Sequence, residues 1–177
     1  MNSFDIRLAT VADVGALTSI SRETFAEAYG DRNKREDIDY FNNRGFNREN
    51  IAGEINNTEL IIYVNGSHKE LYGYVVLKAS TNYGLENALE IKRIYVRKIC
   101  YGNGLGNALM QAAIRHAGRN GFSVLALAVW KENHRAILFY KKQGFAVHTE
   151  TTFDWGTGKV DDDWVMVKEV QSTQYKA

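Results

Sequence analysis

Seven apolar residues stand in a row at Val124-Leu125-Ala126-Leu127-Ala128-Val129-Trp130. The run is far short of the roughly 20 residues that cross a bilayer, and it has the length of a single strand. It lacks the apolar–polar alternation of a strand with one wet face, so it is expected to be covered on both sides. Its neighbours in the chain read as helices. Leu105, Leu109, Ala112, Ala113 and His116 share one helical face over 104–116, and Asn133 is placed to cap a helix that Gly144 closes. A strand of this kind needs a sheet with helices packed on its faces, which is an α/β layout.

The rest of the chain extends that layout. Residues 4–9 alternate and predict a first strand. Thr10 and Asp13 have the spacing of a capping box, and the helix they open carries Leu17, Ile20, Thr24 and Phe25 inward before Gly30. Two shorter helices are expected over 34–57, broken near 43–47, with Tyr40, Phe41, Ile51 and Ile55 buried. Residues 59–64 and 71–77 predict a hairpin turning at Asn65-Gly66, and 88–96 a further strand. A last hairpin is expected over 145–154 and 160–170 around Gly156-Thr157-Gly158. No repeat, linker or low-complexity stretch interrupts the chain, so 1–170 reads as a single domain and 171–177 as a frayed tail.

Composition narrows the function. The 22 Lys and Arg against 21 Asp and Glu leave a formal charge of +1, which gives no reason to expect nucleic acid or an acidic membrane as partner. One cysteine, Cys100, cannot form an internal disulfide, and no signal-like layout begins at Met1, so the expected location is the cytoplasm. The four histidines have no metal-ligand spacing and read as ordinary surface or helix residues; no metal is expected. The chain has no proline, where about nine would be average.

Two stretches carry chemistry. In Tyr101-Gly102-Asn103-Gly104-Leu105-Gly106, three glycines alternate where a strand gives way to a helix. Backbone N–H groups at such a junction, at the positive end of a helix dipole, suit a pyrophosphate. The stretch is neither a Walker loop nor a full dinucleotide fingerprint. The second stretch is Asn133-His134-Arg135-Ala136-Ile137-Leu138-Phe139-Tyr140-Lys141-Lys142-Gln143-Gly144-Phe145. By itself, Asn133 needs only a capping role, and a lone helical Tyr such as Tyr140 is more often core than functional.

Together the two stretches resemble the signatures of the GNAT superfamily of N-acetyltransferases: a strand followed by Gln/Arg-x-x-Gly-x-Gly/Ala, then Asn-x-x-Ala-x-x-Phe-Tyr-x-x-x-Gly-Phe. Glu23-Thr24-Phe25, Leu89 to Val96 and Val129-Trp130 further resemble the bacterial PaiA-type spermidine/spermine N-acetyltransferases. Two departures stand out: Tyr101 occupies the usual Gln/Arg position, and Lys98 a position where proline is common. The resemblance implies an α/β (α+β) fold with a mixed, mostly antiparallel central sheet, splayed between two strands and flanked by helices. It also implies acetyl-CoA as cosubstrate, held by Ile94, Tyr95, Val96, Tyr101, Gly102, Asn103, Gly104, Leu105, Gly106, Asn133, Ala136 and Tyr140.

The implied reaction is direct transfer of acetyl to a primary amine. Near pH 7 only about one such amine in a thousand is neutral, a cost of about 4 kcal/mol, so a base must take its proton. Glu90 is the candidate; its bland alternative is an exposed carboxylate paired with Lys92. Backbone N–H groups of Ile94–Val96 would meet the developing oxyanion. The tyrosine aligned with Tyr140 is the superfamily's usual proton donor to the leaving thiolate. Glu23 and Glu27 are candidate substrate-binding carboxylates. Asp161-Asp162-Asp163 reads most simply as a solvated turn or strand end, and otherwise as further acidic lining for a cationic acceptor. Arg97, Lys98, Lys141 and Lys142 could contact CoA phosphates. The expected acceptor is a small-molecule amine, with spermidine or spermine first. The alternatives are another small amine, a protein α-amino group, or an acyl-CoA-binding regulatory module without turnover. A homodimer is compatible with the sequence.

Overall fold

In the structure, a computed structural model describing residues 4–171, every expected strand and helix is present and several boundaries move. The strands are β1 (Ile6–Leu8), β2 (Leu60–Gly66), β3 (Leu71–Ser80), β4 (Ala88–Val96), β5 (Val124–Trp130), β6 (Ala146–Asp154) and β7 (Val160–Glu169). The helices are α1 (Val14–Tyr29), α2 (Arg35–Gly45), α3 (Arg48–Asn56), α4 (Leu105–Arg119) and α5 (His134–Lys142). The strand order is β1-β2-β3-β4-β5-β7-β6. Among the pairings, β4 and β5 run parallel, while β1–β2, β5–β7 and β6–β7 are antiparallel. The expected tail at 171–177 lies almost wholly outside the described residues.

The chain divides into two compact units. The first comprises Met1–Val76 with Arg93–Leu109, the second Leu77–Lys92 with Met110–Ala177.

In the first unit α1 packs on α2 and α3. Leu17, Ile20, Phe25, Ile51, Val64 and Leu71 are buried there, as the helical and strand periods require. Phe25 stacks on Phe41 with centroids 4.4 Å apart, and Phe46 meets both rings edge-on at 5.7 Å. The inward residues of α2 are Ile38 and Asn42; Tyr40, expected inside, is 38% exposed and its hydroxyl accepts from Arg44. The 34–45 stretch is too polar for its period to mark one face.

The start of α1 carries the expected cap on a 3₁₀ turn: Val11–Asp13 precedes the helix, and Thr10 and Asp13 form the capping box. The Asp13 carboxylate does more than cap. It accepts two hydrogen bonds from Arg7 (2.7 and 2.8 Å), one from Thr10 N–H (2.8 Å), and meets His68 Nδ1 at 2.8 Å. Wholly buried, it is held well below the usual carboxylate range, first by the Arg7 hydrogen bonds. His68 is thus part of a network rather than an ordinary surface residue.

The β2–β3 turn is shifted as well. Gly66 is the last residue of β2, and Ser67–Glu70 makes the turn through Ser67 N–H to Glu70 O (2.8 Å). At Gly66 φ is +122° and a Cβ would stand 2.4 Å from Glu70 O, so only glycine fits.

In the second unit β5 is paired with β7 over seven positions, from Val124↔Glu169 to Trp130↔Asp163. Its parallel register with β4 has three pairs: Ala88↔Val124, Leu89↔Leu125 and Glu90↔Ala126. Leu125, Leu127, Val165 and Met166 are buried, as are Met110, Ala113 and Ala117 of α4. Ala128 is the exception in the apolar run: it is exposed.

Candidate active site

The first unit contains the glycine cradle. β4 ends at Val96, a single 3₁₀ turn spans Lys98–Cys100, and α4 begins at Leu105. Between them Gly102 and Gly104 have φ of +78° and +96°, left-handed conformations that disfavour any side chain. Alternation of this kind builds the amide concavities that hold anions. Around the position of a Cβ at Gly102 there is nothing within 4 Å, so the cradle opens to free space. Asn103 Oδ1 accepts Leu105 N–H (3.0 Å) and caps α4, whose first turn carries no acidic residue to oppose an anion. Tyr101 is 39% exposed at the lip. These features fit the pyrophosphate of acetyl-CoA. Within β4, the Tyr95 ring lies 5.9 Å from that of buried Tyr74, which fixes the strand bearing Ile94 and Val96.

Glu23 and Glu27, candidates for substrate binding, are engaged in this unit. Glu23 Oε2 lies 3.2 Å from Arg97, and Glu70 Oε1 receives a 2.7 Å bond from the same guanidinium. Glu27 Oε2 accepts the Lys98 N–H at 3.1 Å. A proline at 98 would have no N–H to give. Lys98 therefore replaces a fixed φ with a hydrogen bond to α1, and Arg97 is tied to carboxylates.

The second unit contains the Asn133 helix. Asn133 Oδ1 accepts Ala136 N–H at 3.2 Å, the cap expected from sequence. At the other end Phe145 N–H bonds Tyr140 O and Gly144 N–H bonds Lys141 O, a Schellman closure. Tyr140 is 9% exposed, its ring 5.4 Å from that of Phe139 and 5.9 Å from that of Phe145. The Asn–Gly-Phe frame thus fixes the turn of helix that carries Tyr140. On β4, Glu90 is half-buried, and its carboxylate accepts from Asn82 Nδ2 at 3.2 Å.

One expectation holds only in part here. The three aspartates stand at a strand end, the start of β7, but they are not uniformly solvated. Asp161 accepts Trp155 Nε1–H at 2.8 Å and lies 3.4 Å from Lys159 Nζ. Asp163 is buried, with Oδ1 lacking any hydrogen-bond partner. Asp162 is exposed. The strand period distributes them, since residues 161 and 163 face one side of β7 and 162 the other. That separation was readable from sequence; the burial of Asp163 was not.

Among the described residues no His, Cys, Asp or Glu group is arranged to hold a metal ion, and no helix is long and apolar enough to cross a membrane.

Such a chain, a mixed sheet with an anion cradle at a helix start and a second, Asn-capped helix, is an α/β protein built to take a nucleotide-like ligand. Residues 15–145 match the acetyltransferase (GNAT) family, and the chain belongs to it. It is an acetyl-CoA-dependent N-acetyltransferase. It is 34% identical over 153 residues to an uncharacterized N-acetyltransferase in the pepI 3′ region of Lactobacillus delbrueckii subsp. lactis, covering 85% of this chain and 88% of the relative. It is 24% identical over 149 residues to a spermidine N(1)-acetyltransferase of Thermoplasma acidophilum, covering 82% and 89%. The crystal structure of the PaiA N-acetyltransferase from T. acidophilum in complex with coenzyme A superposes with a TM-score of 0.79 at 23% identity, over 95% of this chain and 99% of that one. The PaiA-like resemblance of the sequence therefore extends to the fold.

Proposed function

We propose that the chain acetylates a primary amine of a cationic small molecule, with spermidine or spermine as the acceptor. Acetyl-CoA supplies the activated acyl group when bound. The 102–106 cradle, held open by the left-handed glycines, takes its pyrophosphate through amides other than that of Leu105, which Asn103 Oδ1 already engages, and the Ile94 and Val96 amides take the pantetheine arm. Tyr101, Tyr95, Asn133 and Ala136 complete that binding set. Glu90 accepts the proton of the attacking ammonium, and the Tyr140 hydroxyl returns a proton to the departing thiolate. The observation that carries the cosubstrate half is the pair of positive-φ glycines at the start of α4; the acceptor half is supported by the likeness to a spermidine acetyltransferase.

The test of these roles is Tyr140→Phe, which keeps the ring packing against Phe139 and Phe145. Turnover falls at least about tenfold while acetyl-CoA affinity is retained. Unchanged turnover removes Tyr140 from the mechanism.

A further inference from the structure

The register of the second unit places Glu90 and Asp163 on one face of the sheet. Glu90 is opposite Ala126, and Trp130 is opposite Asp163. Residues 126, 128 and 130 share a face of β5, and paired residues share a face across strands. Between the two carboxylates on this face lie Ala126 and Ala128, the smallest side chains of β5; Ala126 is buried, and Ala128 is exposed although its neighbours Leu127 and Val129 are buried. Tyr83 belongs to the same cluster. Burial first, and then the charges of Glu90 and Asp163, raise its phenol above the ordinary tyrosine range. Its backbone is left-handed, φ +62°, a strained state for a tyrosine.

Asp163 is the anomaly within this cluster. It is 8% exposed, and Oδ1 has no partner. Its neighbours are spoken for: Asp161 by Trp155 and Lys159, and Lys131 by Glu150 at 2.8 Å and the Trp164 ring at 4.3 Å. A buried, unsatisfied carboxylate is costly and calls for a ligand that repays its desolvation.

We propose that Asp163 is a specificity-determining carboxylate of the acceptor site, binding the ammonium of the substrate remote from the one acetylated. This rests on the proposed amine acetyl transfer, with Glu90 serving the reacting nitrogen. Two carboxylates on one face ask for two positive charges, and an α-amino acid would bring its own carboxylate against them. Their strand positions are four residues of β5 apart, about 13 Å along the strand. That span suits a long, flexible polycation better than a short diamine. The charges that act on Asp163 are Asp161 and Asp162 on its strand, which raise its carboxyl, and Lys131 beyond β5, which lowers it; Tyr83, itself under the charges of Glu90 and Asp163, belongs to the same cluster. Burial, then the two aspartates, hold its carboxyl up to about 6, so it is mostly ionised at neutral pH.

The experiment compares wild type, Asp163→Asn and Asp163→Glu with spermidine and with 1,4-diaminobutane, by steady-state kinetics and by calorimetric binding of each amine. The expected result for Asp163→Asn is a KM for spermidine raised about tenfold or more, with kcat and the 1,4-diaminobutane constants little changed. Asp163→Glu recovers part of the spermidine affinity. Equal losses for both amines, or none, overturn the proposal, because a merely structural role does not sort amines by length. So does a wild type that binds neither amine. If that wild type still releases CoA with a peptide, acetyl transfer stands and only the role of Asp163 falls.

Discussion

Replacing Asp163 by Asn stabilises the fold at neutral pH and leaves it nearly unchanged in acid. An aspartate in the unfolded chain titrates near 3.9, whereas in the fold Asp163 is held up to about 6 by burial and its neighbouring aspartates. Two units at about 1.36 kcal/mol each set a ceiling of about 3 kcal/mol on the cost of ionising it in place. The residual 8% exposure of Asp163 lowers that figure, and about 1–3 kcal/mol is expected. The sign follows from the raised folded value. Below about pH 4 both states hold the proton and nothing is lost; as pH rises through 6 the wild type gives up stability that the uncharged variant keeps. For a chain of this size the gap opens to roughly 3–9 °C in Tm between about pH 4 and about pH 7.5. The assay is thermal or urea unfolding of both proteins at the two pH values. Any cost of burying the amide is the same at both and cancels. A gap that does not change with pH, or that widens toward acid, refutes the reasoning. A residue that weakens the fold while serving the acceptor is the pattern expected of functional sites.

Asp13 works in the opposite direction. Its folded pKa is lowered by Arg7, so its contribution is present above about pH 4 and fades as pH falls below that. Asp13→Asn, which leaves the Arg7 guanidinium without its carboxylate, costs about 3 kcal/mol at neutral pH in urea unfolding, and an unchanged midpoint would contradict the network. Gly104→Ala meets only Phe4 Cε2 at 3.6 Å, so its cost is the φ of +96°, about 1–2 kcal/mol. Calorimetry then finds weaker CoA binding; full affinity would separate the glycines from the cradle.

Much of the fold is legible in the residues because each local signal agrees with the packing. The apolar run 124–130 is a strand with helices before and after it, and Asn133 and Gly144 mark the bounds of the helix bearing Tyr140. Where the reading falls short, a distant partner decides. Asp13 closes the capping box its spacing predicts, but the sequence does not show that Arg7 and His68 share its carboxylate. Asn65-Gly66 is a strong turn signal, yet Gly66 ends the strand and the turn falls at 67–70. Glu23 and Glu27 are candidate substrate ligands in the sequence, and the fold adds what the sequence does not show, that they also hold Arg97 and the Lys98 amide. Asp163 is hidden for the same reason. Three consecutive aspartates suggest solvent, and the burial of the third comes from strands and a loop distant in sequence.

The central claim is tested most directly by offering the protein acetyl-CoA with spermidine, spermine, short diamines, amino acids and N-terminal peptides, following CoA release and identifying each product by mass. The expected result is CoA release with spermidine or spermine, with a product one acetyl group heavier. Release with peptides alone contradicts the polyamine acceptor, and CoA binding without release on any amine contradicts acetyl transfer to amines.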